Sequence, residues 1–195
     1  YIPIEYSMVA SYMIGIPLKI ESYKNDLMVS KKKIEFAHDN STHNKKLLKH
    51  EYRASKNQNF EKLVTYDLYE SNGNIRQATY TNGISLTYLW GYDDLYPIAK
   101  IENATFSEVA SVLGVTEAAL ETYTENDMNT INSLRNNLNN AMITTYTYDP
   151  LIGVISVTDA RGQNVYYGYD AYNRLKWVKD SDGNILSENE YNYKD

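Results

Sequence analysis

Hydrophobic and polar residues alternate along several short stretches of the chain, which is the pattern of half-buried β-strands. Residues 18–23 alternate and are followed by the turn pair Asn25-Asp26. Residues 27–36 then provide a return strand, so this region predicts a hairpin. The strongest hairpin signal is Asn82-Gly83, because this dipeptide favours a tight turn, and residues 84–90 alternate directly after it. The amino-terminal 61 residues are therefore expected to hold only short strands and turns.

The periodicity changes from β to helical between residues 104 and 141. Ser107 is a candidate cap for a first helix, and Thr116 is a candidate N-cap for a second. Apolar residues then recur at spacings of three and four, at Met128, Ile131, Leu134 and Leu138. This stripe predicts an amphipathic helical hairpin packed on a sheet. A helix that binds a partner is the alternative interpretation of the same stripe.

A repeat of 21 residues organises the carboxy-terminal part of the chain. Its two copies begin at Tyr148-Asp149 and at Tyr169-Asp170. At offsets of nine, eleven and fourteen from the tyrosine, each copy has Val, Asp and Gly, which are Val157, Asp159 and Gly162 in the first copy and Val178, Asp180 and Gly183 in the second. We predict that Val157 and Val178 are equivalent buried positions, as are Tyr148 and Tyr169.

Two further copies of the repeat are predicted upstream. They begin at Tyr92-Asp93 and at Tyr66-Asp67. In each copy the aspartate after the tyrosine is expected to bond to nearby backbone and close a turn. The chain is thereby divided into an amino-terminal β-hairpin region (1–61), YD-like repeats (62–103), a helical insertion (104–141) and further YD repeats (142–195).

The composition supports a turn-rich β protein and narrows the function classes. The chain of 195 residues contains 20 Tyr and 21 Asn but only 3 Phe, and tyrosine favours strands while asparagine favours turns. The formal net charge of −6 argues against a general nucleic-acid binder, which needs a basic surface. The chain has no Cys, which excludes disulfides, thiol nucleophiles and thiolate metal sites within it.

Candidate chemistry is sparse. His38, His43 and His50 lie in a polar stretch without zinc-like spacing, and the recurring aspartates are better explained by turns than by a glycosidase cleft. We therefore expect no catalytic residue, no metal and no cofactor. Trp90 and Trp177 could instead form a stacking platform for glycans or another partner. The simpler interpretation is that both rings pack within the repeats.

Residues 169–184 resemble the YD repeat of Rhs and teneurin-type proteins. The segment Tyr-Asp-Ala-Tyr-Asn-Arg-Leu at 169–175, followed by Asp180 and Gly183, is similar to the family core of Tyr-Asp-x-x-Gly-Arg-Leu, Val, Asp and Gly. Asn173 stands where the family usually has Gly, and Asn also tolerates a left-handed backbone. Residues 96–103 and the helical stretch are similar to the carboxy-terminal part of large Rhs-repeat surface proteins of Bacteroidetes.

The resemblance implies an open, curved antiparallel sheet of strand-turn-strand units that forms part of a β-shell. It implies a non-enzymatic scaffold at the cell surface or outside the cell, which contributes to a shell or to a surface for partners. The expected partners are the remaining repeats of a longer parent chain or a protein at the sheet edges, with glycans as a further option. Neither nucleic acid nor a membrane span is expected.

Overall fold

The computed structural model describes residues 4–192. The chain divides into two compact units, Tyr1–Leu86 and Thr87–Asp195. A mainly β fold of antiparallel strand-turn-strand units with a small helical insertion is confirmed.

The first unit contains one helix and a run of antiparallel strands. Its strands pair in chain order, each with the next one along the sequence. The elements are α1 (Ile4–Ala10), β1 (Lys19–Lys24), β2 (Leu27–Ala37), a 3-10 turn (Asn40–Thr42), β3 (Leu47–Ser55), β4 (Glu61–Tyr69) and β5 (Ile75–Tyr80). The predicted hairpin around Asn25-Asp26 joins β1 to β2 and is confirmed.

Helix α1 is a difference from the sequence analysis, which expected only strands and turns in the amino-terminal 61 residues. In the sequence Ile4, Tyr6 and Met8 alternate with Glu5 and Ser7, which is the pattern of a strand. In the helix Met8 is buried, while Tyr6 and Val9 are exposed. The chain reverses immediately after the helix, where the backbone N–H of Met13 donates to the carbonyl of Met8.

The second unit contains the helical insertion and the carboxy-terminal strands. Strand β6 (Ser85–Gly91) begins in the first unit and ends in the second. Strands β7 to β12 are antiparallel and pair in chain order. They are β7 (Tyr96–Glu102), β8 (Met142–Asp149), β9 (Gly153–Thr158), β10 (Asn164–Tyr169), β11 (Leu175–Asp180) and β12 (Ile185–Glu188).

The helical insertion lies between β7 and β8. It consists of α2 (Phe106–Leu113), α3 (Glu117–Leu120), a 3-10 turn (Glu125–Asp127) and α4 (Met128–Asn137). Thr116 caps α3 as predicted, by accepting the N–H of Ala119. The cap of α2 is Thr105 rather than the predicted Ser107, because Thr105 forms a reciprocal capping box with Glu108.

The best-buried core belongs to the second unit and lies between the helices and β7 and β8. The predicted stripe of α4 supplies Ile131 and Leu134, which are fully buried. They are accompanied by Ile98, Ile101, Phe106, Val109, Leu120 and Ile143. The predicted packing of this stripe is therefore confirmed. The predicted second helix is divided into α3 and α4, so the insertion has three helices and is not a simple hairpin. None of the helices in residues 4–192 is both long and apolar enough to cross a lipid bilayer.

Candidate functional site

The two predicted copies of the 21-residue repeat have the same strand register. Tyr146 lies opposite Val157 in the β8–β9 pair, and Tyr167 lies opposite Val178 in the β10–β11 pair. A register shift follows at the same place in both hairpins, after which Tyr148 lies opposite Val154 and Tyr169 lies opposite Leu175. Each residue of the second hairpin is thus 21 positions after its counterpart in the first.

The tyrosines at the strand ends each donate the same kind of hydrogen bond to a backbone carbonyl. The hydroxyl of Tyr148 donates to the carbonyl of Pro97 over 3.0 Å, and the hydroxyl of Tyr169 donates to that of Val154 over 2.8 Å. Both acceptors are the second residue of the preceding strand. We call this hydrogen bond the tyrosine clamp. Tyr69 on Leu48 and Tyr191 on Leu175 make similar bonds, of 2.6 and 2.9 Å.

Burial of the clamp tyrosines keeps their hydroxyl groups protonated. It raises the pKa of Tyr148 to about 12 and also raises the pKa of Tyr169, because burial disfavours a charged phenolate. These hydroxyls therefore act as hydrogen-bond donors and are poorly suited to act as bases near neutral pH.

Three aspartates of the carboxy-terminal strands begin the same turn. The residues are Asp159, Asp170 and Asp180, and in each turn a carboxylate oxygen accepts the backbone N–H groups two and four residues later, over 2.8–3.0 Å. The backbone N–H of the aspartate donates to the carbonyl four residues later, and its carbonyl accepts from the residue at the third position. This is the three-residue hairpin loop that needs a left-handed residue before the return strand.

The left-handed position is occupied as the repeat predicts. Gly162 and Gly183 have φ angles of 83° and 85°, and Asn173 has 59°. A Cβ at either glycine would have open space around it. Glycine is therefore favoured at these positions for its backbone conformation and not for a close approach.

Asp149 occupies a different turn from Asp170. Its carbonyl accepts the N–H of Ile152 over 3.1 Å, and the left-handed residue is Leu151, with φ of 73°. Pro150 precedes Leu151, so the sequence and geometry are those of a type II turn, in which glycine is preferred at the position of Leu151. The side chain of Leu151 is 93% exposed, so no packing compensates for this conformation.

Tyr92 and Asp93 lie in a tight turn at the end of β6. Tyr92, Asp93 and Asp94 all have positive φ angles between 54° and 60°. The Tyr92 hydroxyl accepts a hydrogen bond from the backbone N–H of Tyr148 over 2.9 Å. The backbone N–H of Tyr92 donates to the carboxylate of Glu125 over 2.7 Å. Its ring packs edge-on against Tyr96 and Tyr148, which stack at 4.7 Å.

Tyr66 and Asp67 lie inside β4 and not at a turn. Asp67 is the extra residue of a β-bulge and accepts hydrogen bonds from Gln77 and Thr79. The Tyr66 hydroxyl donates to Glu51 over 2.8 Å. The clamp and turn positions of this strand are instead held by Tyr69 and Glu70.

Glu70 takes the place that an aspartate holds in the other turns. Its N–H donates to Asn74 and its carbonyl accepts from Gly73, as in the turn at Asp170. Its carboxylate forms a bidentate pair with Arg76, with distances of 2.9 and 2.6 Å. The Tyr-Asp motif does not reveal this copy, and Tyr69-Glu70 is its signal in the sequence.

Val157 and Val178 are alike in being partly buried, and so are Tyr148 and Tyr169, although Tyr148 also packs against the rings of Tyr92 and Tyr96. All four residues are half-buried. The equivalence agrees with the prediction, whereas full burial of these positions does not occur. Strands β9 to β12 expose part of both faces, so the side chains of this region are only partly covered.

Trp177 lies on the backbone of Gly168, directly opposite it in the β10–β11 pair. A Cβ at Gly168 would lie 2.1 Å from Cε2 of the indole, so only glycine fits beneath the ring. The ammonium group of Lys179 lies 4.4 Å from the ring centroid. Trp90 is half-buried and tilted against Tyr88 at 6.5 Å. A glycan platform formed by these rings stays a prediction, which fluorescence quenching by added glycans would test.

Arg135 of α4 fixes the helical insertion to the hairpin of β8 and β9. Its guanidinium donates to the carbonyls of Ile143, Thr158 and Asp159 over 3.0–3.1 Å, and also to the side chains of Thr145 and Asn132. Burial lowers the pKa of this guanidinium below its usual value. Because Arg135 joins a helix to carbonyls from two strands, we identify it as the main polar contact of the insertion.

His43 and His50 take structural positions within the first unit, whereas His38 is exposed. Nε2 of His43 lies 2.9 Å from the carbonyl of Tyr69, and Nδ1 of His50 lies 3.3 Å from the hydroxyl of Thr65. Burial lowers the pKa of His50, which favours its neutral form. In the described part of the chain no group of three or more His, Asp or Glu side chains is arranged to hold a metal ion.

Comparisons with known proteins give similarities in structure alone. No protein-family model matches the sequence, and no curated protein matches it significantly. Several solved structures are similar, and three of them are named here. They are the TcdB2–TccC3 complex without its hypervariable carboxy-terminal region (11% identity, TM-score 0.46, 87% of this chain), the TcdB2–TccC3–Cdc42 complex (11%, 0.46, 94%) and the Tc holotoxin pore of Photorhabdus luminescens with a substitution in TccC3 (12%, 0.44, 98%). This chain spans 9–11% of the length of those chains.

Proposed function

We propose that this chain is a structural segment of a YD-repeat protein of the Rhs type, at the cell surface or secreted, with no catalytic activity of its own. The observation that carries the proposal is the 21-residue repetition of strand register, which places Tyr146 on Val157 and Tyr167 on Val178. A repeated strand-turn-strand unit buries too little surface alone and is stabilised by its neighbours in an array.

The polar groups of the repeated motif support a structural role. The carboxylate of Asp170 accepts two backbone N–H groups and pairs with Arg174, and the hydroxyl of Tyr169 is bonded to a carbonyl. A catalytic carboxylate must face a substrate, whereas these groups are directed at their own chain. The motif therefore acts to form turns and to hold strands in register.

The partial exposure of β9 to β12 supports a contact role for the same segment. Gly168 is the only buried residue between positions 146 and 192, all of which the structure describes. A sheet with both faces partly exposed offers surface for neighbouring repeats or for a partner protein. We propose that such contacts cover this region in the parent protein.

The size of the native polypeptide tests the proposal. An antibody raised against this chain should detect, in freshly lysed source cells, a polypeptide much longer than 195 residues. Fractionation should place that polypeptide at the cell surface or in the medium. An intracellular polypeptide of about 195 residues would contradict the proposal.

A further inference from the structure

A groove in the second unit lies between helix α2 and the segment that follows α4. Its volume is about 420 Å³, which is within the range of small-molecule sites. Val112 and Leu138 contribute apolar surface to its lining. Four asparagine side chains also line it, those of Asn103, Asn137, Asn139 and Asn140. We call this feature the asparagine groove.

The backbone around the asparagine groove is held by hydrogen bonds that do not use the asparagine side chains. The N–H of Leu138 donates to the carbonyl of Leu134 over 2.8 Å, and the N–H of Ala141 donates to the carbonyl of Leu138 over 3.0 Å. Before α2, the carbonyl of Ala104 accepts the hydroxyl of Thr87 over 2.8 Å. Leu134 and Thr87 are fully buried. Both segments are therefore fixed to the core before any ligand binds.

Three of the asparagine amides have unused hydrogen-bonding capacity. The side chains of Asn103, Asn139 and Asn140 are exposed and form no hydrogen bond with any residue in positions 4–192. The side-chain nitrogen of Asn137 donates to the carbonyl of Ser133 over 3.2 Å. Each primary amide has two donors and an acceptor, so the groove offers both kinds of group to a ligand.

The charge and polarity of the asparagine groove limit the ligands that fit it. Glu108 is the only charged residue among the described residues that line it. Its Oε2 accepts the backbone N–H and the hydroxyl of Thr105 over 2.7 and 2.8 Å. These hydrogen bonds lower the pKa of the carboxyl group, so it is ionised near neutral pH and repels anions. A purely apolar ligand is disfavoured as well, because it would cover the amides without pairing them.

We propose that the asparagine groove binds a neutral oligosaccharide. A sugar ring has hydroxyl groups that both donate and accept hydrogen bonds, and these match the asparagine amides. The C–H groups of the ring match the apolar surface of Val112, which is 37% exposed, and of Leu138. The site is distinct from Trp90 and Trp177, and it does not depend on the proposed structural role.

An extended peptide is the main alternative among neutral ligands. Peptides commonly bind by adding a strand to a sheet edge, by placing an apolar helix face in a hydrophobic groove, or by docking prolines on aromatic rings. The described residues that line the asparagine groove come from helices and loops, and none of them is aromatic. The groove therefore has none of the features that these modes of peptide binding require.

Titration of the full chain with defined sugars, followed by heteronuclear NMR, tests the proposal. Maltotriose, lactose or diacetylchitobiose should shift the resonances of Asn103, Asn139 and Asn140, with a Kd of about 1 mM or tighter. Asn139→Ala and Asn140→Ala should each weaken binding about fivefold, because each removes hydrogen bonds to the ligand. Asn103→Gly should do the same, and glycine keeps the positive φ of 64° at this position.

A matched control separates this site from general effects of asparagine. Asn136→Ala removes an exposed asparagine of α4 that lies outside the groove, and it should leave sugar binding unchanged. Equal loss of affinity in this control would overturn the proposal, as would the absence of shifts at the groove with all three sugars at about 50 mM. Tighter binding of N-acetyl-dialanine amide or of ethanolamine at the same residues would also overturn it, since the groove would then select a peptide or a cation.

Discussion

The hydroxyl of Tyr169 lies 2.8 Å from the carbonyl oxygen of Val154 and donates a hydrogen bond to it. Tyr148 makes the corresponding bond to Pro97, although the chain between its two partners includes the whole helical insertion. The same clamp therefore forms whether its two strands are joined by a short turn or by the long helical insertion. Because the position of the clamp depends on how the strands are aligned, the presence of the clamp indicates that the strands of the array pair in this register.

Removal of either clamp hydroxyl should destabilise the protein by about the same free energy. Tyr148→Phe and Tyr169→Phe should each lower the free energy of unfolding by about 1 kcal/mol, because each deletes one hydrogen bond while keeping the ring. Urea denaturation followed by circular dichroism measures both values. Tyr172→Phe is the control, because Tyr172 is 77% exposed. A loss at one clamp and none at the other would show that the two tyrosines are not equivalent.

The contact between Gly168 and Trp177 predicts a large effect from a single methyl group. Gly168→Ala places a Cβ 2.1 Å from the indole, so the ring must move and the free energy of unfolding should fall by about 1–3 kcal/mol. Tryptophan fluorescence should shift to longer wavelength as the ring becomes hydrated. Gly15→Ala, which meets no atom within 4 Å, should be neutral. An unchanged spectrum for Gly168→Ala would contradict this packing.

Substitutions at the left-handed turn positions should lower the free energy of unfolding by amounts that depend on the new residue. Gly183→Ala should cost about 1 kcal/mol for backbone conformation alone, because nothing obstructs its Cβ. Gly183→Asn should cost less, since Asn173 adopts the same conformation in the equivalent turn. Thermal unfolding of the two variants checks the order. Equal stability of Gly183→Ala and the natural protein would exclude a positive φ at this residue.

Loss of the Arg135 side chain should weaken the attachment of the helical insertion to β8 and β9. Arg135→Leu removes the donors to three carbonyls and should lower the free energy of unfolding by roughly 2–3 kcal/mol. Hydrogen exchange should then increase in α4 more than in β10 and β11. Arg161→Leu is the matched control, because that arginine is exposed. Uniform loss of protection along the chain would argue against a local role for Arg135.

The turn aspartates predict loss of stability in acid. The hydrogen bond from Arg174, followed by those from the backbone, holds the pKa of Asp170 below its ordinary value of 3.8. A carboxylate with a lowered folded pKa stabilises the protein above the unfolded pKa and ceases to do so as pH falls through the folded one. Unfolding measured at pH 7 and at about pH 3 should therefore differ, and Asp170→Asn should reduce that difference. An undiminished difference would mean that other carboxylates cause it.

Local turn chemistry was the part of the fold that the sequence predicted best. The turns at Asp170 and Asp180 depend on residues within four positions of each aspartate, so their spacing is visible in the sequence. The αL residues Asn173 and Gly183 are readable for the same reason. The stripe of α4 was also predictable, because helical periodicity places Ile131 and Leu134 on one buried face.

The parts that the sequence did not predict depend on pairing between distant residues. Strand β4 continues through a bulge at Asp67 and ends at Tyr69, and the clamp and turn positions are held by Tyr69 and Glu70 rather than by Tyr66 and Asp67. The fit of Trp177 on Gly168 exists only once β10 and β11 are in register. Helix α1 was missed because it has only 7 residues, and its first residues alternate between apolar and polar as in a strand.

Solution NMR of the cross-strand contacts tests the repeat most directly. The account predicts backbone NOEs between Tyr146 and Val157, and equivalent NOEs between Tyr167 and Val178, 21 residues later in the chain. Observation of both sets would establish two equivalent repeats. A shift of one residue in either hairpin would place its tyrosine on the opposite face of the sheet and would contradict the repeat that underlies the proposed scaffold.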